Sequence, residues 1–213
     1  QPRHAHDEIS QLRFLQEAEI TGRLEHPGVV PVYGLGRHPD GRPYYAMRLV
    51  EGETFQAAVA RFHHGARGER REDRELTFRR LLRSVVEVCY ALGYAHSRGV
   101  VHRDVKPENI MLGRFGETLL LDWGIAKTLD SRVPDEPSPL PLFDRDSQDL
   151  PYMTRPGSAI GTPAYMSPEQ ADGDPKRIGP ASDVYGVGAT LYYLLVGKPP
   201  FASQNLAEIL EQV

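Results

Sequence analysis

Residues 100–109, with the sequence VVHRDVKPEN, constrain this chain more than any other stretch. An apolar pair begins the stretch and an apolar run, residues 110–112, follows it, which predicts two short strands around a polar loop. The loop carries a carboxylate, a cation and an amide at fixed spacing, from Asp104, Lys106 and Asn109. A solvated charged turn is the alternative interpretation, and the length of the pattern disfavours it.

The stretch resembles the catalytic loop of eukaryotic-type serine/threonine protein kinases, in which His-Arg-Asp is followed by Asn five positions after the Asp. The resemblance implies that Asp104 is the catalytic base, that Asn109 binds a magnesium ion and that Lys106 contacts the γ-phosphate of ATP. A lysine at this position is typical of serine/threonine kinases and differs from the usual tyrosine-kinase residue. By the same resemblance, His102 is structural and Arg103 pairs with a regulatory phosphate.

A second motif, Asp-Trp-Gly at 122–124, resembles the kinase Asp-Phe-Gly motif with Trp123 in place of Phe. Alone the triplet is also typical of a turn at the end of a strand. The resemblance implies that Asp122 binds the metal that bridges the nucleotide phosphates. Because hard cations prefer oxygen ligands, Asp122 and Asn109 together suit Mg²⁺, with Mn²⁺ as the alternative. Trp123 is expected to keep a structural aromatic plug and to enlarge it.

Residues 161–169, GTPAYMSPE, resemble the end of a kinase activation segment. The resemblance implies that Thr162 hydrogen-bonds the catalytic Asp and Lys, and that Glu169 pairs with a buried arginine. That arginine is expected beyond residue 213, so we expect Glu169 to lack its partner here, which is costly for a buried carboxylate. Asp183 matches the aspartate that accepts hydrogen bonds from the catalytic-loop backbone, and it also fits a helix N-terminus.

Residues 7–24 have apolar side chains at helical spacing and resemble the regulatory helix of the family. Counting back from His-Pro at 26–27, Glu17 matches the glutamate that pairs with the nucleotide-binding lysine. Glu19 is the neighbouring candidate and fits the spacing less well.

The nucleotide pocket is predicted from residues 45–52 by the same resemblance. Met47 matches the gatekeeper of the adenine site, and the backbone of Arg48 and Val50 is expected to hydrogen-bond adenine. Met111 matches the apolar floor under the ring. The alternative is that these are strand residues with apolar side chains and no ligand.

The fold class expected from the resemblance is α+β, a two-lobed protein-kinase-like fold truncated at both ends. Residues 1–51 are expected to form part of the small lobe, with a hairpin of 29–35 and 44–50, and residues 52–213 an incomplete large lobe. The Gly-rich loop and its lysine are expected before residue 1, since no lysine precedes Lys106. We therefore expect this polypeptide alone to be a poor kinase.

Periodicity predicts further helices at 54–62, 77–96 and 183–196, the last buried in the centre of its domain, and a strand break at Gly52. The predicted buried face of the helix 77–96 consists of Leu82, Val85, Val86, Cys89 and Leu92. Cys89, the single cysteine, is thus expected to be a small buried hydrophobe, and a reactive thiol is the minority alternative.

An insertion of roughly 131–158 lengthens the predicted activation segment. Thr154, Ser158 and Thr162 are candidate phosphate acceptors. Their autophosphorylation would order the segment through a contact with Arg103. If one copy of the chain phosphorylates another, the two copies must associate. A solvated insertion without a switching role is an equal alternative.

The net charge of −4 gives no reason to expect nucleic-acid binding. No apolar run is long enough to cross a bilayer and no signal peptide is visible, so we expect a cytoplasmic segment without membrane contact. The expected activity is phosphoryl transfer from ATP to serine or threonine hydroxyls of protein substrates, in a kinase of bacterial type. A nucleotide-binding pseudokinase or scaffold is the alternative, and residues 161–169 argue against a small-molecule phosphotransferase.

Overall fold

The computed structural model describes residues 18, 20–40, 42–65, 70–123, 127–128, 163–173, 176–203 and 205–213. Ala18 and residues 20–22 are helical and end the predicted opening helix, most of which lies outside the described residues. The predicted insertion also lies outside them.

A β-hairpin follows the first helical residues. Its strands are β1 (Val32–Arg37) and β2 (Pro43–Met47), which pair antiparallel with Leu35 opposite Tyr45. The turn is held by Asp40, whose carboxylate accepts from the N–H and the guanidinium of Arg42 at 3.1 and 2.7 Å. The predicted hairpin is confirmed, with β1 beginning three residues later than expected.

A second sheet has the order β3, β5, β6, formed by β3 (Gly52–Thr54), β5 (Ile110–Gly113) and β6 (Thr118–Leu120). The strand that was expected to break at Gly52 already ends at Met47, and Gly52 itself begins β3. A Cβ atom there would lie 2.0 Å from the carbonyl oxygen of Leu112, so the close approach of β3 to β5 requires glycine. Two further strands, β4 (Val100–Val101) and β7 (Lys127–Thr128), pair antiparallel. The two predicted strands on either side of the polar loop are β4 and β5.

Two helices precede the loop. The helix α1 (Phe55–His64) is capped by Thr54, whose hydroxyl accepts from the N–H of Ala57. The helix α2 (Arg71–Ser97) begins six residues before the predicted start, within the charged stretch of residues 71–76. That stretch consists of good helix formers with acidic residues in the first turn, which favour a helix N-terminus.

The predicted buried face of α2 is partly wrong. Val85 and Leu92 are buried as expected, whereas Leu82, Val86 and Cys89 are exposed. The buried face is formed by Leu81, Val85, Val88, Ala91, Leu92 and Ala95. Its alanines carry little weight in a hydrophobicity pattern, and as small residues they allow close helix packing, so the true stripe is rotated from the predicted one.

The remaining helices are α3 (Pro168–Ala171), α4 (Pro180–Val196) and α5 (Leu206–Gln212). The predicted helix 183–196 is α4, and the expectation that it is buried in the centre of its domain is only partly correct, since Val184 and Leu195 are 66% and 57% exposed. Its other side packs on α2 and on the loop between β4 and β5. A Cβ atom at Gly186 would lie 2.9 Å from Val105, so the helix approaches this loop closely. Within the described ranges no helix is both long and apolar enough to cross a membrane.

Candidate active site

Asp104 lies at the centre of a polar cluster in the loop between β4 and β5. Lys106 Nζ donates to Asp104 Oδ2 over 2.6 Å, and Asn109 Nδ2 donates to the same oxygen over 2.9 Å. Asn109 Nδ2 also lies 2.9 Å from the backbone carbonyl oxygen of Asp104. The Lys106 and Asp104 side chains are 13% and 12% exposed, so solvent screens their attraction less than in a surface pair. These contacts leave Oδ1 of Asp104 for other partners.

The backbone at the start of this loop is held by Asp183 in the first turn of α4. Asp183 Oδ2 accepts from the N–H of His102 over 2.9 Å, and Oδ1 accepts from the N–H of Arg103 over 2.7 Å. The carboxylate is 1% exposed, which strengthens charge-assisted hydrogen bonds. Arg103 has φ = 71°, a left-handed conformation that costs a non-glycine residue about 1–2 kcal/mol. Asp183 therefore holds a strained backbone directly before Asp104.

His102 and Trp123 pack together beneath the loop. Both are buried, and their rings meet nearly edge to face with centroids 4.6 Å apart. His102 Nδ1 accepts from the N–H of Asp104, so Nε2 carries the proton and donates to the carbonyl of Leu121. Burial lowers the pKa of His102, although nearby carboxylates oppose this, and the ring is neutral. The two aromatic rings thus connect the loop to the segment that follows β6.

Asp122 follows β6 and lies beside the loop. The N–H of Leu121 donates to the carbonyl of Asn109 over 2.7 Å, which joins the two segments immediately before Asp122. Asp122 has φ = 61°, and its side chain is exposed. Backbone strain of this kind clusters at functional sites, where surrounding contacts maintain it.

The predicted hinge follows β2. Met47 is the last residue of β2 and is 42% exposed. The N–H of the next residue, Arg48, donates to the carbonyl of Pro31 over 3.1 Å. The carbonyl of Arg48 is therefore the backbone group to consider for a ligand at this position. Val50 is half-buried, as is Met111, which pairs with Thr54 and Leu119 in the second sheet.

Two ion pairs join the hinge to the turn between β5 and β6. Arg48 contacts Glu117 at 3.0 Å, and Arg114 contacts Glu51 at 3.1 Å. Solvent screens exposed pairs of this kind, so they orient the hinge more than they stabilise it.

Glu169 was expected to lack its arginine partner in this chain, but in the structure it has another hydrogen-bond partner. The hydroxyl of Ser182 donates to Glu169 Oε1 over 2.5 Å. Partial burial opposes ionisation, but hydrogen bonds, chiefly from Ser182, hold the pKa of Glu169 below its ordinary value. A hydroxyl from α4 thus satisfies the carboxylate within this chain.

Several predicted site residues lie outside the described part of the chain, and their roles stay predictions. They are Glu17, Thr154, Ser158 and Thr162. Arg103, the predicted phosphate partner, is half-buried.

Residues 2–213 match the family described as the protein kinase domain. The chain belongs to the protein kinase domain family. It is 39% identical over 204 residues to the serine/threonine-protein kinase PknD of Protochlamydia amoebophila, which covers 95% of this chain and 20% of that protein. It is 38% identical over 203 residues to the serine/threonine-protein kinase pkn3 of Myxococcus xanthus, with 93% and 32% covered. The DNA damage-responsive serine/threonine-protein kinase RqkA of Deinococcus radiodurans is 34% identical over 206 residues, with 96% and 26% covered.

The chain spans about a fifth of the length of the PknD relatives that it matches. Membership confirms the predicted α+β kinase fold, and the relatives come from bacteria, as the sequence predicted.

Protein kinases use ATP and a divalent metal ion, and the described residues fit such an ion. Asn109 uses Nδ2 for Asp104, which directs the amide oxygen elsewhere, and Asp122 offers a carboxylate nearby. Among the described residues there is no cluster of three or more acidic, histidine or cysteine ligands. A carboxylate and an amide, completed by phosphate oxygens and water, suit a hard divalent cation.

The sequence did not predict several contacts around the loop between β4 and β5. His96 Nε2 lies 2.7 Å from Asp183 Oδ2, and Gln170 Nε2 donates to the carbonyl of Arg103 over 2.6 Å. Gln56 Nε2 donates to Glu108 Oε1 over 2.6 Å, and burial raises the pKa of Glu108. Each pair spans more than 50 residues of chain, so spacing could not reveal it. The position of Gln170 directly after the Ser-Pro-Glu motif was the one available signal.

Proposed function

We propose that this chain carries the catalytic residues of a kinase that transfers the γ-phosphoryl group of ATP to serine or threonine hydroxyls of protein substrates. The observation that carries the proposal is the Asp104 carboxylate, held between Lys106 and Asn109 at 2.6 and 2.9 Å. The names of the relatives, all serine/threonine-protein kinases, support the substrate class.

In this mechanism Asp104 orients the attacking hydroxyl and accepts its proton at Oδ1. Lys106 and Asn109 contact the other carboxylate oxygen, so the side chain cannot rotate freely when substrate arrives. Lys106 also supplies positive charge for the γ-phosphate as charge develops on the transferred group. Because the groups are fixed before reaction, little reorganisation is needed in the transition state.

Asn109, through its amide oxygen, and Asp122 would hold the divalent ion. When bound, such an ion neutralises charge on the phosphate oxygens. We infer Mg²⁺ as the natural ion, with Mn²⁺ as a substitute, because the oxygen donors suit both hard cations. Trp123 supports Asp122 from below through its contact with His102.

The nucleotide base would bind between the hinge and β5. We infer that Met47 lines the back of this pocket, that backbone groups of Arg48 and Val50 hydrogen-bond adenine, and that Met111 forms the floor. Glu17 would pair with the lysine that holds the phosphates. The division into lobes at residues 1–51 and 52–213 belongs to the same proposal.

Regulation would occur through phosphate on Thr154, Ser158 or Thr162, paired with Arg103. Transfer between two copies of the chain is the proposed route. Mapping of phosphorylation sites after incubation with Mg-ATP tests this, and full activity without phosphate in residues 154–162 would contradict it.

The decisive experiment for the activity uses Asp104→Asn in the full-length natural protein. Labelled ATP and dephosphorylated casein are the substrates, and phosphoamino-acid analysis identifies the acceptor. We expect phosphoryl transfer to fall at least about 100-fold, since a general base is removed, while ATP affinity stays within about threefold. Asp172→Asn is the matched control, because Asp172 is 60% exposed in its pair with Arg177.

Unchanged transfer by Asp104→Asn would contradict the assigned base. ATP binding without transfer by the wild-type protein would indicate the pseudokinase alternative. Phosphotyrosine as the main product would contradict the substrate class.

A further inference from the structure

The side chain of Gln170 joins two segments that are far apart in the chain. Gln170 lies in α3 and is 8% exposed. Its Oε1 accepts from both the N–H and the hydroxyl of Ser167 at 3.1 Å, and its Nε2 donates to the carbonyl of Arg103 over 2.6 Å. Both ends of the amide are therefore used, one within its own helical turn and the other on the catalytic loop.

The carbonyl that Gln170 contacts belongs to the peptide group that leads into Asp104. The N–H of the same peptide group donates to His102 Nδ1 over 3.2 Å. The preceding N–H, that of Arg103, is held by Asp183, and Arg103 has the left-handed φ of 71°. A strained residue needs contacts on both sides to keep one conformation. Gln170 and Asp183 supply them.

We propose that Gln170 is a positioning residue, which fixes the peptide group before Asp104 and couples residues 163–171 to the catalytic loop. The inference rests on the proposed phosphoryl transfer. A change in the placement of residues 163–171 therefore reaches the peptide group before Asp104 through this side chain. The contact thus makes the alignment of the base depend on the end of the activation segment.

The chemistry of the contact requires an amide. Glutamate would retain the acceptor for Ser167, but it would place a second acceptor against the carbonyl of Arg103. The substitution Gln170→Glu therefore removes the contact to the loop and leaves the contact within α3. Gln170→Met removes both contacts without introducing a charge, and Gln212→Glu at an exposed position of α5 is the matched control.

The experiment measures kcat, the KM for ATP and hydrogen exchange of amides 102–105 in the full-length natural protein. The kcat is expressed per ATP-binding site, with the sites counted by calorimetry. A smaller fraction of folded protein therefore does not lower the measured kcat. For Gln170→Glu we expect kcat to fall about tenfold, the size of one lost hydrogen bond, and the KM for ATP to stay within about twofold. Exchange at amides 102–105 should become faster, and Gln212→Glu should match the wild type.

An unchanged kcat, or a lower kcat with unchanged exchange at amides 102–105, would overturn the positioning role. If Gln170→Glu does not fold, Gln170→Met is measured by the same criteria. If the wild-type protein transfers no phosphate, the proposed function fails separately. Exchange then decides alone whether Gln170 holds the loop, with faster exchange supporting the contact and unchanged exchange overturning it.

Discussion

The side chains of His96 and Asp183 meet at 2.7 Å between Nε2 and Oδ2, where the end of α2 approaches the start of α4. The same carboxylate accepts the N–H groups of His102 and Arg103, at 2.9 and 2.7 Å. One buried carboxylate therefore connects two helices with the loop between β4 and β5. Hydrogen bonds to a charged group contribute about 1.5–3 kcal/mol each, so this junction matters for both stability and alignment.

Asp183→Asn should lower the free energy of unfolding by about 3 kcal/mol, because the amide presents N–H groups to backbone donors in a buried site. Urea denaturation monitored by circular dichroism measures the loss. Asp172→Asn is the control, since Asp172 is 60% exposed in its pair with Arg177. A loss below about 1 kcal/mol for Asp183→Asn would show that the junction is not held by this carboxylate.

The buried imidazole of His102 predicts a pH dependence of stability. Burial lowers the pKa of His102 in the folded state, against the opposing charges of Asp183, Asp104 and Asp122. The unfolded chain therefore binds more protons below about pH 6.5, so this stability is complete above that pH and falls as pH decreases. The slope should reach at most about 1.4 kcal/mol per pH unit.

His102→Gln should reduce this slope relative to the wild type in urea titrations between about pH 5 and pH 8. Gln offers a donor and an acceptor but does not titrate. His64→Gln, at an exposed position of α1, should leave the slope unchanged. Equal slopes for wild type and His102→Gln would contradict a neutral buried ring.

Ser182 should control the ionisation of Glu169. The folded-state pKa of Glu169 is below its ordinary value of 4.5, so its stabilisation is present above that value and is lost as pH falls through the folded pKa. Ser182→Ala should raise this pKa, seen by NMR titration of the carboxyl carbon. It should also cost about 1–2 kcal/mol of stability near neutral pH. Ser97→Ala is the control, and an unchanged pKa in Ser182→Ala would contradict the contact.

The residues around Asp104 could be predicted because they lie within ten positions of one another. The resemblance of VVHRDVKPEN to a known loop then assigned Asp104, Lys106 and Asn109, and in the structure Lys106 and Asn109 both contact the Asp104 carboxylate within 3 Å. Asp183 was also predicted, but only because the segment around it resembles a known helix start. Local motifs therefore predicted most of the side chains that contact one another in the loop between β4 and β5.

Contacts between distant segments could not be predicted in the same way. His96 and Gln170 reach partners 87 and 67 residues away, and nothing in their own neighbourhoods identifies those partners. The face of α2 was misassigned because Ala91 and Ala95 pack well but add little hydrophobicity. Packing at small residues depends on the shape of the opposing helix, which a single helical pattern does not contain.

Asp122→Ala should lower the magnesium-dependent affinity for ATP at least about tenfold, because removal of even an indirect metal contact costs that much. Calorimetry with and without Mg²⁺ in the full-length natural protein measures the effect, beside Asp172→Ala as an exposed control. The affinity without metal should be similar in both variants, since Asp122 would act through the ion. If Asp122→Ala binds ATP as tightly as the wild type in Mg²⁺, the ion is held elsewhere and the left-handed backbone at Asp122 needs another explanation. If affinity falls equally with and without Mg²⁺, Asp122 shapes the pocket itself, and the assignment of the metal ligand is wrong.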